Sequence, residues 1–591
     1  MKTMLISPKL SHPKLTSEAL FRLKATLLQV KRGIKNQFPS SPKHHTKGNQ
    51  FVEKPVLAES RTPLWTSPGA PAEKHLQAGK IHNLRIALKQ LDGIELPAGE
   101  VFSFWAQLGQ PTRWKGYVAG RELREGCLIP SVGGGLCQLS NALYDAALKA
   151  GFDIVERHAH SQVVPGSLAE IGRDATVFWN YVDLRFRAGF PFRIEAFLTS
   201  DSLVVRFRGD ATSEDSTNPT DSKPARLLGI IPGSCASCGV YSCHRNVERE
   251  TQYAQFGKQA FLVDEFWPEF DEYLSQHKSD QDVLCLPIDG NQVKKANYAW
   301  ETGGFGQVQQ ARLVALWRAW SSRSLASQGA ERQQALLEAD QELAAAFAKN
   351  LTYDITHLTC MQNLLPFLWM DGHLGGRTFD VLMTRLPLDA LHQQLDRGRK
   401  LHPESPTLGD FRADSALLKA EREALRQARR IITPHSHIAE LFPTKAVLLD
   451  WKLPKSTHTP VKGKKVAFPA STVGRKGAYE LREVAEKLGL EVVTFGSELE
   501  GKDFWGSGQT QRRSFSPNWL DDIGIVVLPA FVEHKPRKLL EAVAAGIPVI
   551  ASAECGLKHV PGVTTIPAGN VSALCEAIQK VKNGARQPQS Q

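Results

Sequence analysis

The last third of the chain changes its hydrophobic period at regular intervals, and that alternation constrains the fold more than any other feature. KVAFP (465–469) is a short apolar run of strand character, AYELREVAEKL (478–488) spaces its apolar residues at helical intervals and stops at Gly489, and LEVVTF (490–495) returns to a strand. IGIVVLP, the helical RKLLEAVAA, IPVIAS, VTTIP and VSALCEAIQKV continue the series to residue 581. Strands alternating with helices predict a parallel sheet covered on both faces, with ligands at the carboxyl ends of the strands. A chain of 591 residues exceeds one core, so this sheet is one unit among several.

Within that unit, EHKPRKLLEAVAAGIPVIAS (533–552) follows the strand IVVLPA, which puts Glu533 at the lip of the ligand crevice. Pro536 suits the first helical position and Gly546 the left-handed residue past the end, predicting a helix of about ten residues. Its amino end, with Lys535, Arg537 and Lys538, favours an anion such as a phosphate. Glu541 can accept two hydrogen bonds from a vicinal diol such as a ribose edge. A second loop, FPASTVGRKGAYELREVAEKLG, places Arg475 and Lys476 between a strand and a helix.

These residues resemble the Glu-x(7)-Glu signature of family-four glycosyltransferases of GT-B architecture, where similar text reads E-G-F-G-x-x-x-x-E-A-M-A-x-G-x-P-V. The resemblance implies a retaining transferase with Glu533 near the donor sugar, Glu541 on the nucleotide ribose, and Arg475 and Lys476 on the donor diphosphate. His-Lys-Pro replaces Gly-Phe-Gly after Glu533, and Arg475 and Lys476 are adjacent where the family spaces them apart. ITPHSHIAELF resembles the stretch that joins the two halves of such enzymes, with His435 a weak candidate contact that reads more readily as a capping or core residue. Fixed cations around a departing diphosphate stabilise its charge without a metal ion. Asp280-Gln281-Asp282 reads as a polar start to a strand, and WETGGFGQ (Gly303, Gly304) and GHLGGR (Gly375, Gly376) as weak candidate glycine loops. GT-B enzymes bind their acceptor in the amino-terminal half, here 225–455, which contains the helical patterns QQARLVALWRAW and RQQALLEADQELAAAFAKN.

From Asn83 to Gly209 the chain resembles the VanW-like domain, through GIELPAGEVFSFWAQLG, GYVAGRELREGCLIPSVGGGLCQLSNALYDAALKAG, ERHAHS and GRDATVFWNYVDLRF. GLCQLSNALYDAALKAG is a glycine turn leading into a helix with Cys137 at its start. Helix N–H groups there favour a thiolate. His160 and Asp174 can serve as base and orienting group, which makes acyl or peptidyl transfer a candidate chemistry. Plain packing of Cys137, a satisfied His160 and a turn-capping Asp174 is the competing reading.

The nine cysteines, odd in number and scattered, fit reduced thiols better than a disulfide framework. Cys235, Cys238, Cys243 and His244 offer four soft ligands, although adjacent Cys243 and His244 reach one zinc ion awkwardly. A redox pair at Cys235 and Cys238, or ordinary thiols in a turn, are the alternatives.

Residues 1–50 hold ten basic residues and the single acid Glu18, so they carry +9 of the net +11. Leu20, Leu23, Leu27, Val30 and Ile34 fall at helical spacing among Arg22, Lys24, Lys31, Arg32 and Lys35. Such a basic amphipathic helix over 16–36 fits either an anionic membrane surface or a docking site on its own protein. The basic residues lack interleaved aromatics, which argues against nucleic acid. No apolar run approaches the ~20 residues that span a bilayer, and the N-terminus lacks the apolar core of a secretory signal. A cytoplasmic protein is expected, peripheral to the inner membrane face if the helix binds lipid.

The expected organisation is a basic helix and flexible tether (1–80), an α+β VanW-like domain (81–210), a linker (211–224), two Rossmann-like GT-B halves (225–455 for acceptor, 456–582 for donor) and a tail (583–591). The expected activity is a retaining, metal-independent glycosyltransferase with a nucleotide-sugar donor and a cell-envelope or polysaccharide acceptor. The alternatives are a VanW-like cysteine acyl or peptidyl transferase or hydrolase whose other half binds a sugar nucleotide, and a non-catalytic envelope-associated binding protein.

Overall fold

The computed structural model of this protein describes residues 15–35, 42–65, 71–124, 127–160, 167–210, 233–234, 257–321, 329–409, 412–455, 461, 463–506 and 510–584. They divide into two compact units, the first drawn from 1–258, 352–357 and 371–378 and the second from 259–351, 358–370 and 379–591. The stretch 211–232, containing the expected linker, and the Cys235, Cys238, Cys243 and His244 cluster read as a candidate zinc site lie outside the described residues.

The first unit is α+β. A four-stranded antiparallel sheet runs in the order Val56–Pro63, Ser202–Gly209, Phe192–Leu198, Glu95–Leu96. Strand Phe192–Leu198 shows why it forms: Phe192, Ile194, Ala196 and Leu198 are buried while the intervening residues point to the half-exposed face. Two smaller sheets, built on the hairpin Ala119–Arg124 with Cys127–Val132 and on Phe102–Ser103, Arg185–Arg187 and Asp153–Glu156, complete it. Helices Pro71–Leu91 and Leu136–Lys149 cover the core. Its centre is aromatic, with Phe152 stacked on Phe207 at 4.9 Å and Phe102 on Phe186 at 4.7 Å. Removing one such ring costs roughly 3–5 kcal/mol.

Two expectations need correction here. The described part of the stretch expected as a tether is not one: Val56–Pro63 is an edge strand in register with Ser202–Gly209, and a helix starts at Pro71. A polar edge strand ending in proline reads locally as linker, and only a partner some 145 residues away reveals it. The loop containing Gly375 and Gly376 belongs to the first unit, where Gly375 O accepts from Arg85 Nε at 2.6 Å and Gly376 N donates to Thr199 O at 2.8 Å. It is a packing loop and not part of a donor site.

Helix Leu15–Lys35 forms as its spacing predicts, and it meets its own unit through the buried Ala25 and through polar groups. Arg32 pairs with Glu156 at 2.6 Å, and Gln29 Nε2 donates to Trp179 O at 3.2 Å. Leu20, Leu23, Leu27, Val30 and Ile34 are each more than half exposed. No helix among the described residues is long and apolar enough to cross a membrane.

The second unit holds two Rossmann-like halves, the GT-B architecture. The first half is a seven-stranded sheet, in the order Gln307–Gln310, Val283–Leu286, Lys258–Leu262, Ile355–Met361, Thr378–Leu382, Arg430–Thr433, Ala446–Leu448. The second is a parallel six-stranded sheet, in the order Thr510–Arg513, Val492–Phe495, Lys465–Phe468, Ile523–Leu528, Val549–Ser552, Val563–Ile566. Its inner strands are buried along their length, as both faces are covered by helices. The pattern QQARLVALWRAW does not start a helix at residue 309, because Gln307–Gln310 pairs in parallel with Val283–Leu286 and the helix begins at Arg312.

Candidate active sites

In the second unit, strands Lys465–Phe468 and Ile523–Leu528 are parallel neighbours, so the loops at their carboxyl ends meet. The amides of Phe531 and Val532 both donate to Arg475 O, at 2.9 and 3.2 Å. Lys476 Nζ donates to Glu533 Oε2 at 2.8 Å, and Lys535 N donates to Glu533 Oε1 at 2.9 Å. The side chains of Lys476 and Glu533 are 16% and 13% exposed. Burial by itself would raise the Glu533 carboxyl, but the Lys476 charge and these hydrogen bonds outweigh it and hold Glu533 below its ordinary range. Glu533 is therefore a fixed anion in a cationic loop.

The other half of the unit contributes from across the crevice. His435 Nε2 donates to Glu533 O at 3.0 Å, while its Nδ1 accepts from Ile438 N and caps helix Ser436–Glu440. Burial pushes His435 down to about 4, so it works as a neutral cap. Arg385, just past the end of strand Thr378–Leu382, has buried Nε and Nη2 atoms with no hydrogen-bond partner among the described residues. The same is true of His534 Nε2, whose ring burial and the nearby charges of Lys476, Arg385 and Arg475 hold well below the ordinary value for histidine. Buried polar atoms without partners are costly, and an anionic ligand relieves that cost at the Arg385 guanidinium. Neither Arg385 nor the imidazole of His534 was singled out from the sequence. Arg385 lies 91 residues before Lys476 in a stretch with no motif, and His534 reads only as a departure from a glycine-rich pattern.

The remaining expected groups are placed differently. Helix Arg537–Ala544 has eight residues with Pro536 as its cap. The three cations at its start are already matched: Lys535 Nζ with Glu265 at 2.6 Å, Arg537 with both oxygens of Glu269 at 2.7 Å, and Lys538 with Glu541 at 2.7 Å. Glu269 is fully buried, and Arg537 lies over Trp267 and Trp451 at 5.0 and 5.3 Å. Arg537 is a pin between the halves and not a free phosphate ligand. Glu541 also accepts from Trp519 Nε1 at 2.9 Å, beside an aromatic group that includes Phe515 and Phe495. The Gly474 amide is held by Glu500 and Thr407, and Glu500 accepts as well from Ser405 and Tyr479. Gly306 N donates to Asp282 O ahead of strand Val283–Leu286, so the Gly303–Gly304 loop lies at the amino ends of the strands, away from the crevice mouth.

In the first unit the three residues proposed for thiol chemistry come together. Gly133 and Gly135 take left-handed φ values of 79° and 101°, and the turn they form opens directly into helix Leu136–Lys149 with Cys137 in its first turn. His160 Nδ1 lies 2.6 Å from Asp174 Oδ1, and the His160 amide donates to Asp174 Oδ2 at 2.5 Å. Cys137 Sγ lies 3.9 Å from Thr176 Oγ1 and 3.8 Å from Val177 O, and Cys137 and His160 border the same cavity. The helix also positions the acid: Asn141 Oδ1 accepts from Ala175 N at 2.7 Å, Ser140 Oγ donates to Ala175 O at 2.5 Å, and Arg157 Nε donates to Asp174 O at 2.6 Å. Burial disfavours the imidazolium, but the hydrogen bonds and charges of Asp174 and Cys137 prevail and push His160 up to about 10. Cys137, Asn141 and His160 border a cavity of about 670 Å³.

With this geometry in hand, residues 79–208 match the family model described as VanW like protein, and residues 475–583 match that described as Glycosyl transferases group 1. The chain joins a VanW-like domain to a group 1 glycosyltransferase domain. Two curated relatives are 33% identical: the uncharacterized protein YoaR of Bacillus subtilis, over 148 residues (25% of this chain, 48% of the relative), and the vancomycin B-type resistance protein VanW of Enterococcus faecalis, over 182 residues (29% and 62%). The chain thus spans about half to three fifths of those relatives. Among solved structures, a sucrose-phosphate synthase from Thermosynechococcus elongatus is similar at 14% identity and a TM-score of 0.35, covering 55% of this chain and 90% of that one. A lipopolysaccharide outer core galactosyltransferase is similar at 13% identity and a TM-score of 0.33, covering 56% and 92%. The glycosyltransferase match contains Arg475, Lys476, Glu533, Lys535 and Glu541; the VanW-like match contains Cys137, His160 and Asp174.

Proposed function

We propose that the protein is a retaining glycosyltransferase that takes a sugar from a nucleotide-diphosphate donor and passes it to a cell-envelope or polysaccharide acceptor. The observation that carries this reading is the crevice where Arg385 presents two buried, unmatched donors and His534 a buried, unpartnered Nε2 beside Lys476 and Arg475, at the carboxyl ends of strands from both halves. A diphosphate supplies the missing acceptors. In the reaction the anomeric C–O bond breaks and its electron pair stays on the departing diphosphate, whose charge these cations hold. The acceptor hydroxyl adds on the same face and yields its proton to the departing phosphate oxygen. Glu533, kept ionised by Lys476, faces the positive charge that develops on the sugar. Fixed cations do the work of a divalent metal, so chelators leave the rate unchanged. The acceptor class rests on the resemblance of the first unit to VanW-like proteins.

Binding is tested by calorimetry with UDP, GDP and ADP sugars. A hydrogen bond to a charged group is worth about 1.5–3 kcal/mol, so Lys476→Met and Arg385→Met each weaken the preferred donor by about 10- to 100-fold. Binding of no nucleotide sugar, or affinity indifferent to both substitutions, rejects the reading. The same proposal places the protein on an anionic membrane surface through helix Leu15–Lys35, whose exposed leucine stripe has no protein partner among the described residues. Vesicles containing phosphatidylserine should sediment the protein, neutral vesicles should not, and Leu23→Glu with Leu27→Glu should abolish the effect.

A further inference from the structure

We infer that the cavity of the first unit holds an amphiphile, with its anionic head beside Lys80 and its single apolar chain against Trp105, Phe178 and Trp179. Every group that this occupant meets lies in the first unit, so the glycosyltransferase reading is not involved. The origin of the chain in a bilayer rests on the membrane placement proposed above.

Charge is unbalanced on one part of the cavity wall. Lys80 is buried there at 7% exposure; its Nζ donates to Leu64 O at 2.7 Å and has no carboxylate partner among the described residues. The other two inward cations are matched, Arg121 with Glu73 at 2.6 Å and His160 with Asp174 at 2.6 Å. Glu122 and Glu170, the acids on the wall, are not ion-paired with Lys80. Burial and the Arg121 charge push Lys80 down to about 7, against the weaker pull of Glu73. A carboxylate or phosphate supplies the counterion that the fold omits. Much of the remaining wall is apolar. Trp105 and Trp179 pack edge to face at 5.5 Å, Leu123 faces Leu128 across the hairpin, and the one polar atom of the Trp105 ring is spent on Val182 O at 2.8 Å. Such walls suit a hydrocarbon chain. The mouth is apolar as well, since Ile171 borders the cavity and is 70% exposed. Helix Leu15–Lys35 attaches at the same wall: Gln29 Nε2 donates to Trp179 O at 3.2 Å, and Gln29 O accepts from Asn180 Nδ2 at 2.9 Å. An apolar exit beside a basic amphipathic helix lets a chain pass from an anionic bilayer into the protein with little exposure to water.

Exposure sets the orientation of the occupant. Lys80 is deep and Ile171 is at the surface, so the head enters first and the chain trails toward the mouth. The volume of about 670 Å³ suits one chain, and no bond to Cys137 is required. A fatty acid and a phosphorylated isoprenoid alcohol share the needed chemistry, one anionic head on one apolar chain. The head is held most firmly where Lys80 is charged, below about pH 7, and less firmly as the ammonium is lost above it. Arg121, from strand Ala119–Arg124, and Glu73, from the helix of Lys80 itself, are the charged groups that act on it. The turn at Gly135 and the Leu64 carbonyl, which also touch its side chain, do not titrate.

The experiment uses the full chain and dansylaminoundecanoic acid, whose fluorescence rises when it leaves water, with oleate, farnesyl monophosphate, farnesol and inorganic phosphate as competitors. The expected result is saturable binding of one probe per chain, displaced by oleate or by farnesyl monophosphate; the tighter of the two identifies the head as carboxylate or phosphate. Farnesol, which lacks the charge, should compete about 10- to 100-fold more weakly than its phosphate, and inorganic phosphate should not compete. Lys80→Met should weaken the charged amphiphiles by about 10- to 100-fold and leave farnesol unchanged. Affinity for the probe should fall by up to about tenfold per pH unit above pH 7 in the parent and stay flat in Lys80→Met, a linkage that a packing role would not produce. Ile171→Glu, at an exposed position that the fold tolerates, should weaken every chain-bearing ligand, farnesol included, and serves with the pH profile of the parent if Lys80→Met does not fold. The assay contains no vesicles, so its outcome is separate from sedimentation through helix Leu15–Lys35. Absence of saturable binding, equal competition by farnesol and its phosphate, or an affinity that neither substitution changes overturns the inference.

Discussion

Glu269→Gln tests whether the start of helix Arg537–Ala544 is a structural joint. Both Glu269 oxygens meet Arg537 at 2.7 Å, one also accepts from Lys452 N at 2.9 Å, and the side chain is fully buried. The amide keeps the shape but removes the charge, leaving Arg537 between the Trp267 and Trp451 rings without its counterion. Removing one member of a buried pair costs about 3–5 kcal/mol. Arg537 keeps 24% exposure, so water can partly reclaim it and the lower end, about 3 kcal/mol, applies. At roughly 2 °C per kcal/mol for a large unit, the melting temperature should fall by about 6 °C. Replacing both partners together, Glu269→Met with Arg537→Met, should recover most of the loss, because no stranded charge remains. Urea unfolding of the parent, Glu269→Met, Arg537→Met and the double variant measures the coupling. A loss below about 1 kcal/mol in Glu269→Gln, or strictly additive single substitutions, would refute the assignment and return Arg537 to the pool of phosphate ligands.

Three further outcomes are expected. Gly135→Ala should cost about 1–3 kcal/mol, since Gly135 has φ of 101° and an added methyl meets the Lys80 side chain; thermal melting checks it. His160, raised to about 10, stabilises the first unit fully below about pH 6.5, where the unfolded chain is also protonated, and that contribution is lost as pH rises through 10; hydrogen exchange of helix Leu136–Lys149 should show the loss in the parent and not in His160→Gln. His435, pushed down to about 4, acts in the opposite sense: the unfolded chain takes up a proton near pH 6.5 that the fold refuses, so the second unit weakens from pH 6.5 toward 4, and His435→Gln should flatten that limb in urea midpoints.

The order of strands and helices from Lys465 to Gly584 is visible in the sequence because each element there follows local rules. A buried parallel strand is a short apolar run, a helix repeats at its own period, and Gly489 and Gly546 mark ends by their left-handed backbone. The cysteine at the start of its helix is visible for the same reason, since Gly133–Gly135 announces the turn. Tertiary structure alone decided what those residues meet. His160 and Cys137 are 23 positions apart and Asp174 another 14 beyond, a separation that no periodicity encodes; the grip of Asn141 and Ser140 on Ala175 brings them together. Charge partners are the least legible part. Lys535, Arg537 and Lys538 look like three free cations beside a helix start, and each has a carboxylate, two of them some 270 residues away. Conversely Arg385, ordinary in sequence, keeps two buried nitrogens, Nε and Nη2, without a hydrogen bond among the described residues. Backbone conformation is set within a few residues, whereas electrostatic pairing falls steeply with distance in space and is indifferent to distance along the chain.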